Sequence, residues 1–508
     1  MMKKEIKFSL VYRDMWQSSG KYQPRVDQLV RIAPLIVEMG CFARVETNGG
    51  AFEQVNLLYG ENPNKAVRAF TALFREAGIQ THMLDRGLNA LRMYPVPADV
   101  RRLMYKVKHA QGVDITRIFC GLNETRNIIP SIKYALEAGM IPQATLCITY
   151  SPVHTVEYYA GIADQLIEAG APEICLKDMA GIGRPGMLGE LTKAIKEKHP
   201  EVLIQYHGHS GPGLSMASIL EVCENGADII DVAMEPMSWG KVHPDVISVQ
   251  AMLKDKGFQV PDINMKAYMK ARAMTQEFID DFLGYFMDPT NKHMSSLLLK
   301  CGLPGGMMGS LMSDLEKNLE TINKNNIKNN KPLMSQDQLL IKLFDEVAYV
   351  WPRVGYPPLV TPFSQYYLED AVLVAFNGNL LVRGFVNKLH TFGTAEFQCV
   401  VYFLAERVQA HRGNGEFYDA CFNLGEVQDF VYQLQKSFVV GFHDVVVVLP
   451  LFGIGALGND SGKAYDGVER GTYLVAHIGK ESRFQLVGSL RFLFGHEQFP
   501  FHPFHFGD

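Results

Sequence analysis

The sequence lacks the features of membrane-bound, disulfide-bonded and nucleic-acid-binding proteins. No apolar run reaches the ~18–20 residues that a membrane-spanning helix needs. The amino terminus lacks the apolar stretch of a signal peptide. The eight cysteines are scattered without a C-x-x-C pair, which argues against a disulfide framework or a zinc ribbon and for a reducing compartment. A net charge of −5 gives no reason to expect nucleic acid or an acidic membrane surface as a partner. We expect a cytoplasmic protein that does not insert into membranes.

The first half of the chain alternates between short apolar runs and longer segments with helical spacing. Eight such runs are rich in β-branched and aromatic residues, and helix-like segments that often end in glycine lie between them. They are residues 7–13, 42–47, 79–84, 115–121, 144–149, 173–178, 203–209 and 228–233. Eight strands alternating with helices predict a closed parallel (β/α)₈ barrel. A doubly wound sheet is the alternative, but the first strand is not followed by its glycine-rich turn.

The sequence predicts three regions with different composition. Residues 1–260 form the barrel domain, and residues 261–377 form a mainly helical region. Residues 378–508 hold 17 of the 30 phenylalanines and seven of the 15 histidines, and they show no helix or strand period. This tail is left without a fold or a function. It is either an unrelated domain or the translation of a shifted reading frame, and a poorly ordered segment is consistent with both.

Polar residues stand where the predicted strands end, which in such a barrel is where eight loops converge. The His207-Gly208-His209 pair is the most informative, because alternate strand residues face the same side and both imidazoles can reach one ion. Asp14, predicted to end the first strand, would add a carboxylate, and this set suits Zn²⁺ or Mn²⁺ acting as a Lewis acid. Lys177 by itself indicates a salt bridge to Asp178 or another acid. The loop at 181–186, GIGRPG, resembles a phosphate-binding turn only superficially.

Several motifs in order resemble one family, the biotin-dependent carboxyltransferases of pyruvate and oxaloacetate. The family includes the pyruvate carboxylase carboxyltransferase subunit, the oxaloacetate decarboxylase alpha subunit and the keto-acid subunit of transcarboxylase. The resemblance covers about residues 5–377. Its motifs are RDMWQS (13–18), NGGAF (48–52), MLDRG (83–87), IFCGLNE (118–124), LKDMAG (176–181), HGHSGPG (207–213), LPGGMMG (303–309) and GYPPLVTPFSQ (355–365).

The resemblance implies a site and a reaction. Asp14, His207 and His209 match metal ligands, and Lys177 matches a lysine that CO₂ converts to a carbamate, which replaces the salt-bridge interpretation. The metal would be a divalent ion, with Zn preferred over Mn or Co. Gln17, Arg86 and Asn123 match the biotin and keto-acid pocket, and Arg86 would hold the substrate carboxylate. The implied reaction moves a carboxyl group between biotin and pyruvate or oxaloacetate through an enolate.

The resemblance also implies partners. They are a biotin carrier protein together with a biotin carboxylase or a membrane decarboxylase subunit, and a homo-oligomer is expected. The chain departs from the family at two places. The proton-shuttling threonine of the loop after strand eight falls on Lys241, so Lys241, His243 or another group must act, or the enzyme is impaired. No Met-Lys-Met biotin-attachment motif is present, so biotin would arrive on a separate carrier.

Two other functions stay open at this point. One is a metal-dependent lyase of the hydroxymethylglutaryl-CoA lyase type, which shares the barrel and the histidine pair. The other is a carrier-binding subunit that has lost turnover. Dependence on biotin separates all three.

Overall fold

The computed structural model describes residues 3–358, apart from residues 21, 93, 288, 298, 300–318, 321, 325, 329 and 354. The chain divides into two units at residues 387 and 388, and all described residues belong to the first unit. The described residues do not include the predicted tail at 378–508 or the motif at 303–309. They include only residues 355–358 of the motif at 355–365. The three-region division therefore stays a prediction.

Eight parallel strands close into a barrel in which each strand pairs with its sequence neighbours and β1 pairs with β8. The predicted (β/α)₈ architecture is confirmed, and the doubly wound alternative is wrong. The strands are β1 (Lys7–Leu10), β2 (Phe42–Gly49), β3 (Gln80–Asp85), β4 (Ile115–Ile118), β5 (Ile141–Cys147), β6 (Glu173–Asp178), β7 (Leu203–Gly208) and β8 (Ile229–Val232).

Helices surround the barrel. In the described part they are α1 (Tyr12–Gly20), α2 (Val26–Glu38), α3 (Gly50–Leu58), α4 (Pro63–Glu76), α5 (Ala98–Ala110), α6 (Thr125–Glu137), α7 (Val156–Glu168), α8 (Pro185–Lys198), α9 (Ser215–Glu224), α10 (Val246–Asp255), α11 (Met265–Asp281) and α12 (Gln336–Arg353). Short 3₁₀ turns lie at Gly87–Asn89, Leu283–Phe286 and Pro289–Lys292.

Helix α4 shows how the local sequence builds the outer ring. The Asn62 side chain accepts hydrogen bonds from two free backbone N–H groups, and Pro63 begins the helix at a position where its missing N–H has no consequence. Val67, Phe70 and Phe74 recur at helical spacing, and all three are fully buried against the barrel.

A polar network fills the barrel interior below the strand ends. Arg44 forms a buried ion pair with Glu173, with Nη2 and Oε1 2.7 Å apart, and Gln143 and Gln205 bond to each other between them. Gln205 also donates to Asp231 of β8. These buried charged and amide side chains are hydrogen-bonded to one another, so the barrel interior holds them without leaving any of them unpartnered.

Helix α11 supports the loop after β8. The Tyr268 hydroxyl donates to Oδ2 of Asp245 at 2.8 Å and accepts from the backbone N–H of Glu235 at 3.0 Å. No helix in the described residues is both long and apolar enough to span a membrane. The five cysteines that fall within the described ranges are free thiols, as the scattered spacing predicts.

Candidate metal and substrate site

Four buried side chains converge at the carboxyl ends of the strands. Asp14 comes from α1, His207 and His209 from the end of β7, and His243 from the loop after β8. One ligand atom from each lies within 4.8 Å of all the others. The prediction that Asp14 ends the first strand is wrong, because β1 ends at Leu10 and Asp14 lies in the first turn of the following helix. The helix still brings its carboxylate to the two histidines.

Hydrogen bonds fix the tautomers of two of the histidines. Nδ1 of His209 lies 2.7 Å from the carbonyl oxygen of Lys241, which can only accept, so this nitrogen carries the proton. Nδ1 of His207 lies 2.7 Å from Oδ2 of Asp231, which is likewise an acceptor. In the neutral form of each ring, Nε2 is then the nitrogen that can bind a metal ion, and the two Nε2 atoms lie 3.3 Å apart. Oδ2 of Asp14 lies 3.2 Å from Nε2 of His209 and 3.7 Å from Nε2 of His207, so one ion can contact all three side chains.

Lys177 lies within this cluster. Its Nζ donates to Nε2 of His207 at 2.7 Å, and the residue is only 2% exposed. Burial lowers the pKa of the Lys177 amine. The salt bridge to Asp178 that the lysine alone indicated is not formed, because the Asp178 carboxylate accepts the backbone N–H groups of Ile182 and Gly183 at 2.9 Å each. These N–H groups of the GIGRPG loop are therefore occupied by a side chain of the protein.

Charges of both signs surround the cluster. Burial acts to raise the pKa of Asp14, but the Arg13 charge and hydrogen bonds from His209 and His243 hold that pKa well below its usual range. Arg13 also pairs with Glu46, with Nη2 and Oε1 2.7 Å apart. Burial and the nearby Lys177 charge lower the pKa of His207 well below its usual range. Asp14 is consequently anionic and His207 neutral, the states in which each can bind a metal ion.

A buried ion pair between Arg117 and Asp231 lies beside Nδ1 of His207, on the side of the ring away from Nε2. Nη1 of Arg117 lies 2.6 Å from Oδ2 of Asp231, and both side chains are fully buried. Burial acts to raise the pKa of Asp231, but the Arg117 charge and the His207 hydrogen bond keep it well below its usual range. A carboxylate behind a ligand histidine orients the ring and raises its basicity.

The predicted pocket residues are tied to the loops around the cluster. Nη1 of Arg86 donates to the carbonyl oxygens of Leu91 and Arg92 at 3.1 and 3.2 Å, and burial lowers the Arg86 pKa to about 10. Gln17 accepts a hydrogen bond from Arg13. Asn123 binds the backbone of Cys147 with both ends of its amide, donating to the carbonyl at 2.9 Å and accepting from the N–H at 2.7 Å.

Lys241 is 7% exposed, and its carbonyl oxygen is the group that orients His209. The structure thus brings Asp14, Lys177, His207 and His209 together, and it links Lys241 to them through the backbone. Sequence reasoning missed His243 as a member of the cluster and Asp231 and Arg117 behind it. Asp231 and Arg117 lie on strands, where the alternation with Ile230, Val232 and Ile118 offered a signal. The loop that carries His243 has no period that gives a side-chain direction.

The donor set fits a divalent metal. Three imidazoles and one carboxylate match the ligands of Zn²⁺ and of related first-row ions. Their ligand atoms all lie within 4.8 Å of one another, close enough to share one ion.

Comparison with known proteins places the chain in a family. A family model described as HMGL-like matches residues 123–273. The methylmalonyl-CoA carboxyltransferase 5S subunit of Propionibacterium freudenreichii subsp. shermanii is 30% identical over 371 residues, which are 73% of this chain and 69% of that protein. The chain belongs to the biotin-dependent carboxyltransferase family. This confirms the family that the sequence motifs indicated.

Other members of the family give the same picture. A pyruvate carboxylase subunit of Methanocaldococcus jannaschii is 31% identical over 368 residues, which are 71% of this chain and 60% of that relative. The match thus spans about three fifths of the relative's length. The carboxyl transferase domain of Rhizobium etli pyruvate carboxylase superimposes with a TM-score of 0.63 at 23% identity, over 74% of this chain and 61% of that one. At this identity the superposition shows a shared fold.

Proposed function

We propose that this chain transfers a carboxyl group between a 2-oxo acid, pyruvate or oxaloacetate, and biotin delivered by a separate carrier. The observation that carries the proposal is the convergence of Nε2 of His207 and Nε2 of His209, which lie 3.3 Å apart, beside the Asp14 carboxylate. This arrangement lies at the strand ends of a barrel from the carboxyltransferase family, where active sites of this fold lie.

A divalent metal held by Asp14, His207 and His209 would supply a Lewis acid that stabilises negative charge on the 2-oxo oxygen of the substrate. Lys177 contributes to the same site after its neutral amine adds CO₂, which forms an N–C bond, releases one proton and leaves an anionic carbamate. The 2.7 Å contact between Nζ and His207 supports this, since it places the amine beside the metal-binding nitrogen.

Arg86 binds the substrate carboxylate. Its two present hydrogen bonds use Nη1, so the Nη2 and Nε protons serve a bidentate contact with the substrate. Burial of this guanidinium strengthens such a contact, because the charge is poorly solvated. Gln17 and Asn123 shape the pocket from the Arg13 side and from the loops after β4 and β5.

Lys241 handles the proton that carboxyl transfer requires. Oxaloacetate loses CO₂ to leave the enolate of pyruvate, and the ureido nitrogen of biotin exchanges its proton for that CO₂. The ε-amino group of Lys241 relays the proton from biotin to the enolate carbon, so that pyruvate and carboxybiotin form with atoms and charge balanced. The backbone bond from His209 to Lys241 supports this role, because it anchors the loop at the metal site.

The test is oxaloacetate decarboxylation by the purified, metal-loaded chain with and without free biotin. Pyruvate is followed by a coupled dehydrogenase, and the rate of the same metal in buffer is subtracted. We expect release that rises with biotin and is lost in His207→Ala. His199→Ala is the matched control, because this histidine bonds to Asp164 at 2.8 Å near the opposite end of the barrel. No stimulation by biotin in folded, metal-loaded protein would refute the proposal.

A second candidate, a metal-dependent lyase of the hydroxymethylglutaryl-CoA type, has the HMGL-like match in its favour. Such an enzyme would cleave its acyl-CoA substrate without biotin. An impaired carrier-binding protein would show neither activity, and recovery of biotin-stimulated turnover in Lys241→Thr would identify Lys241 as the cause.

A further inference from the structure

Backbone hydrogen bonds hold the loop that carries His243 at the metal site. The backbone N–H of Trp239 donates to the carbonyl oxygen of His243 at 2.8 Å, and Ser210 N–H donates to the carbonyl of Val242 at 2.7 Å. The residue is fully buried, and its ring centroid lies 4.2 Å from that of His207 and 4.4 Å from that of His209. The loop therefore fixes the imidazole against both ligand histidines.

The distances around Asp14 are those of ligands that share one ion. Oδ2 of Asp14 lies 3.2 Å from Nε2 of His209, 3.3 Å from Nε2 of His243 and 3.7 Å from Nε2 of His207. Zinc–nitrogen bonds of ~2.0–2.1 Å in tetrahedral geometry separate neighbouring ligand atoms by ~3.3–3.4 Å. His243 meets this spacing as closely as the two histidines of β7 do.

The ring of His243 faces the metal cluster. Its Nδ1 is buried and has no hydrogen-bond partner among the residues that the structure describes. Within that same part of the chain, its ring makes a hydrogen bond to the Asp14 carboxylate alone, through Nε2. Nε2 thus points at the acid of the metal cluster, and binding an ion through Nε2 would move the ring proton to Nδ1.

We propose that His243 is a fourth protein ligand, so that Asp14, His207, His209 and His243 retain the metal without a carbamate on Lys177. This inference rests on the metal site of the proposed function. In it the Lys177 carbamate adds a further anionic ligand to an ion already held, and CO₂ affects turnover rather than metal retention. Zinc accepts such a change from four to five ligands.

The test compares metal content and affinity in His243→Ala, His243→Gln, Lys177→Met and His199→Ala. Each protein is purified without bicarbonate, its folding is checked by near-ultraviolet circular dichroism, and zinc affinity is measured by competition with a chromophoric chelator. The visible spectrum of the Co²⁺-loaded protein reports the coordination number. His243→Gln keeps an N–H donor for Asp14 while removing the imidazole, so it separates ligation from hydrogen bonding.

We expect both His243 variants to lose more affinity than the ~10–100-fold typical of residues that only orient a ligand. Lys177→Met and His199→Ala should keep one metal per chain, and the Co²⁺ spectrum should change only in the His243 variants. Wild-type affinity in His243→Gln, or loss of metal from Lys177→Met or on bicarbonate removal, would overturn the inference. These readouts involve no biotin or substrate, so their failure is distinct from failure of the carboxyl-transfer assay.

Discussion

Replacing Asp231 by Asn should both destabilise the barrel and weaken metal binding, and the two effects can be separated. The carboxylate accepts from Arg117 at 2.6 Å and from His207 at 2.7 Å, and both it and Arg117 are fully buried. Removing one charge of a buried pair leaves the other uncompensated, which costs about 3–5 kcal/mol. That is a large share of the ~5–15 kcal/mol that stabilises a typical domain.

The double variant Arg117→Met/Asp231→Asn removes the uncompensated charge, and methionine fills a similar volume. We expect it to recover most of the unfolding free energy lost in Asp231→Asn. Metal affinity should stay ~10–100-fold below the wild-type value in both proteins, because neither restores the carboxylate behind His207.

The assay is urea unfolding of metal-free protein in EDTA, together with chelator competition for affinity. A single variant as stable as the wild type would show that the ion pair carries no net stabilisation. A double variant that binds metal as tightly as the wild type would show that Asp231 does not tune His207. Either result contradicts the electrostatic reasoning.

Three further predictions concern pH, a close backbone contact and the metal itself. Burial raises the pKa of Asp85 to about 6, above its unfolded value, so the folded state takes up the proton first as pH falls. Relative to Asp85→Asn, the wild type should therefore gain about 2 kcal/mol of unfolding free energy between pH 7 and about 4.5, measured by urea unfolding in EDTA. Gly181 has a φ of +67°, and a Cβ added to it would lie 2.3 Å from the carbonyl oxygen of His209. Gly181→Ala should therefore lose about 2–3 kcal/mol of unfolding free energy and some metal affinity. Gly186→Ala should lose neither, because the space around its Cβ is open. Chelation should lower the melting temperature, because free metal at ~1,000 times its Kd contributes about 4 kcal/mol; an unchanged melting temperature would mean that the site holds no metal in the folded protein.

The barrel was predictable because its signals are local and repeat. Each strand is a short apolar run, and each helix has its own cap or spacing, as in α4 with Asn62 and Pro63. Strand ends were less certain: the run at 7–13 is apolar enough to read as strand throughout, yet Tyr12 already begins a helix. The sequence assigned Asp14 to the strand, whereas the structure has it in the helix that follows. Asp14 still lies in the site, because this helix begins at the carboxyl end of the strand.

The site was predictable only where strand alternation fixed the directions of the side chains. His207 and His209 are two residues apart at the end of one strand, so their convergence follows from the sequence. Lys177 alone suggested an acid as its partner, and only the register between β6 and β7 shows that His207 is its neighbour. His243 lies in a loop whose course depends on hydrogen bonds from the backbone of Ser210 and Trp239, which no local pattern encodes.

The four clustered side chains come from both extremes of the barrel sequence. Asp14 follows the first strand, and His243 follows the last, while the pairing of β1 with β8 brings them together. During synthesis on the ribosome the ion therefore cannot find its full set of ligands until the last strand has emerged and the ring has closed. Metal binding would then distinguish the closed barrel from an intermediate that lacks β8. The closed barrel would retain the ion, and the intermediate would not.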